Sequence, residues 1–402
     1  MAAKQTIRNL DAKEGARIFV RVDFNVPMDG TTITEDTRIR AALPTLSFLR
    51  AIGAQVVLAS HLGRPKKGPT PELSLAPVAK RLAELLNCEV NLAKDSIGED
   101  VRSRVKAMKP GGVVLLENVR FHPEEEKNDP AFAKALIEDS GTTVFVNDAF
   151  GTAHRAHAST AGVAPLVRCR VAGLLMEKEI HYLGLALHSP QHPYVAIIGG
   201  AKVSDKITVI ESLLPKVDKL LIGGGMAYTF FRAQGLNTGK SLVEEEKVEL
   251  AKMLLEKAAG KILLPVDHKV ASGFKADADT KQLPVSDTPE GWMGLDIGPH
   301  TIAAFQAEIE KAALVLWNGP MGVFEMKPFS AGTFGVAEAL AASKGTTIVG
   351  GGDSVAAISE AGLMERITHV STGGGASLEF LSGDPLPGVE CLDDDTDAPA
   401  TN

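Results

Sequence analysis

Apolar residues along this chain gather in short β-branched runs, and between the runs apolar positions recur at the spacing of a helix face. In the first half the runs at 17–22, 55–60, 112–117 and 143–147 predict strands, and the segments 35–51, 74–87 and 129–139 predict helices. The second half repeats the pattern, with strands expected at 194–198, 219–222, 261–265, 313–317 and 346–349. Its helices are expected at 204–214, 244–259, 331–343 and 354–361. The strand runs are continuously apolar rather than alternating, as in parallel sheets whose two faces are both covered by helices.

The length of 402 residues admits two or three domains at about 150 residues each. Between the halves, residues 173–188 are rich in Leu and Glu at helical spacing, and the breaker run Ser189-Pro190-Gln191-His192-Pro193 follows. The expected fold class is α/β: two similar-sized Rossmann-like domains with parallel sheets flanked by helices, joined by a connecting helix and hinge. The domains are expected at 1–173 and 189–387, with 174–188 as the connecting helix and 388–402 as a C-terminal tail. The acidic stretch 393–397 reads as a frayed, solvated terminus.

Ligands of open parallel sheets bind beyond the carboxyl ends of the strands. In the first half those ends carry Asp23-Phe24-Asn25, His61-Leu62-Gly63-Arg64-Pro65, Asn118-Val119-Arg120-Phe121-His122, and the stretch from Asp148 through His154, Arg155 and His157. Four of the ten histidines and several arginines thus meet at one rim, with Arg38 available from the first helix. Guanidinium forks match phosphate and carboxylate geometry, so this rim points to a small, multiply anionic substrate. The histidines lie on separate loops with arginines between them, an arrangement that would repel a metal cation.

Strand ends of the second half carry glycine instead: Gly199-Gly200-Ala201-Lys202, Gly223-Gly224-Gly225, Asn318-Gly319-Pro320, Gly350-Gly351-Gly352-Asp353-Ser354 and Gly373-Gly374-Gly375. Glycine lets backbone approach a ligand closely, and a glycine turn that opens a helix presents free N–H groups to phosphate. Lys202 and Lys206 are expected to flank the start of one such helix as neighbours four apart. Asp353 is placed to hold Mg²⁺, which takes one or two protein carboxylates together with phosphate oxygens. Gly235-Leu236-Asn237-Thr238-Gly239-Lys240-Ser241 imitates a phosphate-binding loop, but it is one residue short and follows a helical pattern. No Gly-x-Gly-x-x-Gly follows the early strands, which removes most support for a dinucleotide dehydrogenase.

Lys and Arg number 42 against 50 Asp and Glu, a formal charge of −8, which argues against a general nucleic-acid or anionic-membrane binder. The three cysteines lie far apart without metal-ligand spacing, so neither a disulfide framework nor a zinc site is expected. There is no apolar signal core and no run of the ~18 residues a membrane span needs, so a cytoplasmic protein is expected. An arginine cradle on one domain and a Gly/Lys/Asp site on the other suit a phosphotransferase, whose chemistry needs positioning, charge neutralisation and exclusion of water.

In this order the motifs resemble those of the phosphoglycerate kinase family over essentially the whole chain. The resemblance rests on Arg21-Val22-Asp23-Phe24-Asn25-Val26-Pro27, Ser60-His61-Leu62-Gly63-Arg64-Pro65, Glu117-Asn118-Val119-Arg120-Phe121 and Gly151-Thr152-Ala153-His154-Arg155. It continues in Gly199-Gly200-Ala201-Lys202-Val203, Trp317-Asn318-Gly319-Pro320, Val323-Phe324-Glu325, Gly350-Gly351-Gly352-Asp353 and Ser371-Thr372-Gly373-Gly374-Gly375-Ala376-Ser377. It implies that Asp23, Asn25, Arg38, His61, Arg64, Arg120 and Arg155 bind 3-phosphoglycerate. It further implies that Gly200, Lys202, Lys206, Gly294, Asn318, Glu325, Gly351, Gly352, Asp353 and Ser354 bind ATP or ADP, with Asp353 near Mg²⁺. Ser354 stands where many members carry Thr, and the hydroxyl is kept. Arg38 and Lys202 are the implied catalytic pair, facing the phosphoryl group in transit between 1,3-bisphosphoglycerate and ADP. The family also implies a monomer. The alternative kept open is a catalytically silent module that binds nucleotide and an organic phosphate.

Overall fold

The computed structural model describes residues 3–395 except 12, 67 and 189. They form two compact units: one runs up to His181 and takes in the segment from Pro385 onward, and the other is Tyr182–Asp384.

The first unit is built on β1 (Arg17–Arg21), the small hairpin β2 (Met28–Asp29) and β3 (Thr32–Ile33), β4 (Gln55–Ala59), β5 (Val90–Leu92), β6 (Val113–Leu115), β7 (Val144–Asn147) and β8 (Cys169–Ala172). Its sheet has the order β5-β6-β4-β1-β7-β8 and every pairing in it is parallel. Helices α1 (Thr37–Ala51), α2 (Ala76–Leu86), α3 (Glu99–Lys106) and α4 (Pro130–Ser140) follow the strands, and α5 (Leu174–His188) leaves the unit. Helix α1 buries Ile39, Ala42, Leu46 and Leu49, a stripe three and four apart, against Ile18, Val20, Val56 and Leu58. Helix α4 starts where Asp129 accepts from the N–H groups of Ala131 and Phe132, with Pro130 at its first position. After β1 the chain turns to β4 on one side, and after β7 it turns to β8 on the other. Ligands of such sheets bind at the point where the connections part.

The second unit repeats the plan with β9 (Tyr194–Ile198), β10 (Lys219–Ile222), β11 (Ile262–Leu263), β15 (Leu314–Asn318), β16 (Thr346–Gly350) and β17 (His369–Val370), in the order β11-β10-β9-β15-β16-β17. Between them β12 (Asp267–Ala271), β13 (Thr280–Pro284) and β14 (Met293–Ile297) make a separate antiparallel sheet. The helices are α6 (Ile207–Leu213), α7 (Ala227–Ala233), α8 (Val248–Lys257), α9 (Pro299–Lys311), α10 (Ala331–Ala342), α11 (Gly352–Glu360) and α12 (Gly375–Ser382). Trp317 is fully buried among Val195, Ile197, Phe305 and Val336. Here the connections part between β9 and β15.

Several expectations change. The helix expected at 204–214 starts only at Ile207, because the stretch before it forms turns in which Glu244 accepts from the Ser204 N–H and hydroxyl. The helix expected at 244–259 narrows to α8, and the strand expected at 261–265 to two residues. The acidic tail is not frayed through Asp395. Asp393 accepts from Arg170 through both its backbone N–H and its guanidinium, its carbonyl accepts from the Gln5 N–H, and Lys4 pairs with Asp394 at 2.7 Å. Residues 396 and 397 of that stretch, and Ser189 of the breaker run, lie outside the described residues. Among the described residues no helix is long and apolar enough to cross a membrane.

Candidate active site

In the first unit the carboxyl ends of β1, β4 and β6 and the start of α1 bring Asp23, Asn25, Arg38 and Arg120 into one bonded group, with His61 beside it. Arg38, in the first turn of α1, donates from Nη1 to Asp23 Oδ2 at 3.0 Å and to the Asn25 carbonyl at 3.2 Å. Asn25 Oδ1 accepts from the Gly63 N–H at 2.7 Å, and Arg120 donates to the Gly63 carbonyl at 3.0 Å. Asn118 fixes the Arg120 turn: its Nδ2 donates to the carbonyls of Leu62 and Leu73, and its Oδ1 accepts from the Arg120 N–H. His61 is 4% exposed, with Nδ1 4.0 Å from Asp23 Oδ1. Arg64 and Arg155 are exposed, and Arg155 donates to His154 Nε2 at 3.1 Å rather than into this group. His122, expected at the same rim, is bonded to Asp95 at 2.6 Å and stacked on Phe132.

Two histidines of this rim, His61 and His157, are held towards the neutral form. Burial holds His61 well below the ordinary imidazole value, and Arg21, Arg120, Arg38 and His157 push it further down. Burial, and then Arg21, Arg120, Arg155 and His154, lower His157 to about 4. The positive charge therefore sits on the guanidinium groups, the arrangement that carboxylate and phosphate oxygens recognise. The sequence reading did not assign Arg21, which is fully buried beside His61, nor Glu125 and Ser159 behind it. The available signal was an arginine inside the apolar run 17–22.

In the second unit a cavity of about 490 Å³ opens at the parting point of the sheet. Of the expected residues, Gly200, Gly294, Glu325 and Asp353 line it. Gly294 is there for a steric reason: a Cβ on it would lie 1.5 Å from the Tyr228 hydroxyl. Gly351 has φ +89° and precedes α11, in whose first turn Asp353 is exposed and Ser354 is buried, its Oγ accepting from the Gly319 N–H at 2.6 Å. Gly352 is the first residue of that helix. Lys206 is not on α6 but just before it, and its Nζ donates to Asn318 Oδ1. Burial lowers the Lys206 pKa, and the charges of Asp205 and Asp353 oppose that. Asn318 is fully buried, and its Nδ2 has no hydrogen-bond partner among the described residues. Lys202 is exposed in the turn before Lys206, so the two lysines are not neighbours on a helix face as expected.

The sequence reading missed the cavity wall supplied by the antiparallel sheet and α7. Tyr228 Oη bonds His268 Nδ1 at 2.8 Å. Asp296, which accepts from the N–H groups of Ile297 and Gly332, is pushed up to about 7 by burial. These residues lie outside the glycine turns at which the sequence reading looked. Among the described residues no three His, Cys, Asp or Glu side chains are grouped to cage a metal. The exposed carboxylate of Asp353 at this cavity fits a divalent ion that arrives with nucleotide phosphates, the coordination Mg²⁺ favours.

The molecule is thus an α/β protein with an arginine-rich group at the strand ends of one unit and a glycine-lined cavity on the other. The family described as Phosphoglycerate kinase matches residues 7–384. A relative from Nicotiana tabacum, "Phosphoglycerate kinase, cytosolic", is 57% identical over 403 residues, covering 98% of this chain and 100% of its own. "Phosphoglycerate kinase" of Prosthecochloris aestuarii is 56% identical, covering 97% and 100%. The solved phosphoglycerate kinase of Coxiella burnetii is 44% identical and superposes with a TM-score of 0.87, covering 97% of this chain and 98% of its own. The chain belongs to the phosphoglycerate kinase family.

Proposed function

We propose that this chain carries out the reaction its family is named for, the reversible transfer of the acyl phosphate of 1,3-bisphosphoglycerate to ADP, giving 3-phosphoglycerate and ATP. The observation that carries this is the bonded group of Asp23, Asn25, Arg38 and Arg120, an anion cradle with a buried His61 beside it whose protonation burial disfavours, in a chain that the family matches over residues 7–384. Arg64 and Arg155, exposed at the same strand ends, complete the 3-phosphoglycerate site. The nucleotide takes the cavity of the second unit, with Gly200, Gly294 and Glu325 along it and Lys206, Asn318 and Gly351 to Ser354 at its phosphates. The orphan Nδ2 of Asn318 is a donor there for a phosphate oxygen.

Asp353 would hold Mg²⁺, which when bound neutralises nucleotide phosphate oxygens. In the direction of ATP use, the 3-phosphoglycerate carboxylate attacks the γ-phosphorus, the bond to the ADP oxygen breaks, and the acyl phosphate forms. The carboxylate is already ionised, so no general base is needed. Arg38 and Lys202 supply positive charge to the phosphoryl oxygens in flight, the electrostatic stabilisation that acts most on a transition state. Three plant relatives are named cytosolic, which supports a cytoplasmic enzyme, and the family supports a monomer. Incubation with ATP, 3-phosphoglycerate, Mg²⁺ and hydroxylamine tests the proposal: a hydroxamate should form only with all of the first three present. ATP binding without hydroxamate would instead favour the silent binding module.

A further inference from the structure

Behind His61 lies a buried polar chain that the reaction as described does not use. Arg21, Glu125 and Ser159 are each 0% exposed. Arg21 donates from Nε to Ser159 Oγ at 2.7 Å, and Ser159 donates from Oγ to Glu125 Oε1 at 2.6 Å. Glu125 Oε2 also accepts from the Ser159 N–H at 2.9 Å. Another donor group of Arg21, Nη1, is bonded to the Val22 carbonyl, and Nη2 lies 3.2 Å from His61 Nδ1. The polarity of this chain is fixed by its chemistry. Guanidinium has donors and no acceptor, and a serine hydroxyl has one proton, here given to the carboxylate. The nitrogen of His61 that faces Arg21 must therefore accept. The alternative acceptor for an Nδ1 proton is Asp23 Oδ1 at 4.0 Å, too long for a hydrogen bond.

We propose that Arg21, anchored by Ser159 and Glu125, is a positioning residue that holds His61 as the neutral tautomer with its proton on Nε2, so that the ring offers one N–H donor to an acidic ligand oxygen. The tautomer follows from geometry in the free protein; its use in binding 3-phosphoglycerate rests on the proposed function. A donor of this kind adds a directed hydrogen bond to a site whose charge comes from Arg38 and Arg120. The burial and the surrounding guanidinium groups that disfavour imidazolium act in the same sense.

Nitrogen-15 NMR of histidine-labelled, ligand-free protein reads the tautomer directly, with His61→Gln identifying the signal. The expected spectrum has an unprotonated Nδ1 and a protonated Nε2, unchanged from pH 8 to pH 6. A protonated Nδ1, or titration to imidazolium in that range, would overturn the proposal. Ser159→Ala keeps both charges but removes the link between them, and it should give mixed tautomers. It should also raise KM for 3-phosphoglycerate roughly 10-fold, the scale for losing the orienting partner of a functional side chain, with kcat much less affected. Unchanged spectra in Ser159→Ala would show that Ser159 and Glu125 do not position Arg21. Arg21→Lys, which keeps a buried donor, should retain the wild-type tautomer; a switch to Nδ1–H there would count against the proposal. Because the tautomer is read without ligand or turnover, an inactive protein with the expected spectrum would fail the proposed function alone.

Discussion

Replacing Asp148 by asparagine isolates the effect of an acid buried under the start of α5. Asp148 follows β7 and is fully buried; its Oδ1 accepts from the N–H groups of Leu175 at 2.9 Å and Met176 at 3.1 Å, capping the first turn of α5. Its Oδ2 has no partner among the described residues. Burial pushes its pKa up from 3.8 to about 6, while the Thr45 hydroxyl and the two N–H groups pull it partly back. The folded state thus holds this proton more tightly than the unfolded chain does. The group adds nothing above about pH 7, adds stability as pH falls through about 6, and reaches its full contribution below 3.8. With these two values the linkage relation gives a gain of about 1.4 kcal/mol between pH 7.5 and pH 5. Asparagine keeps an acceptor for the helix and cannot titrate. Native-state hydrogen exchange in β1 and β4 reads the opening free energy of this unit by itself. On moving from pH 7.5 to pH 5, wild type should gain about 1.4 kcal/mol relative to Asp148→Asn. An equal response in both proteins, or a relative gain by the variant, would show that Asp148 does not hold its proton more tightly in the folded state.

Lys202→Ala should cut kcat by about 100-fold or more, the scale for losing one electrostatic stabiliser; near-normal kcat in the hydroxamate assay would remove Lys202 from the catalytic role. Arg155→Ala should mainly raise KM for 3-phosphoglycerate, and a variant that loses ATP binding with that KM untouched would reverse the assignment of the two sites. Gly294→Ala puts a Cβ 1.5 Å from the Tyr228 hydroxyl and should cost roughly 1–3 kcal/mol of stability together with weaker ATP binding; a Tm unchanged from wild type would show that the wall relaxes freely.

The central strands were legible because they are buried on both faces. The expected 194–198 and 219–222 match β9 and β10 residue for residue, and 17–22 overruns β1 by one. Of the edge strands, β11 was expected, at 261–265, but β5 with its three half-buried residues and β17 with only two are too short to show a period. The sheet β12-β13-β14 also escaped notice, since β13 reads Thr-Lys-Gln-Leu-Pro and four of its five residues are exposed. The site divides along the same line. Residues just after strands, such as Asp23, His61 and Arg120, could be found because topology sends ligands there. Tyr228, on α7, and His268 and Asp296, on strands of the missed sheet, line the cavity from places where no strand-end rule points. Arg21 and Glu125 were hidden for another reason: a buried charge is identified only by its partners, and Ser159 is 138 residues from Arg21 in the chain.

The assignment of the acceptor site to one unit and the nucleotide site to the other is tested most directly by hydrogen exchange with each ligand added separately. Added alone, 3-phosphoglycerate should protect amides around Asp23, Gly63 and Arg120 and leave the second unit unchanged. Mg·ATP alone should protect amides around Gly200, Gly319 and Gly351 to Ser354 and leave the first unit unchanged. Protection by 3-phosphoglycerate in the glycine turns, or by ATP at the arginine rim, would contradict the account.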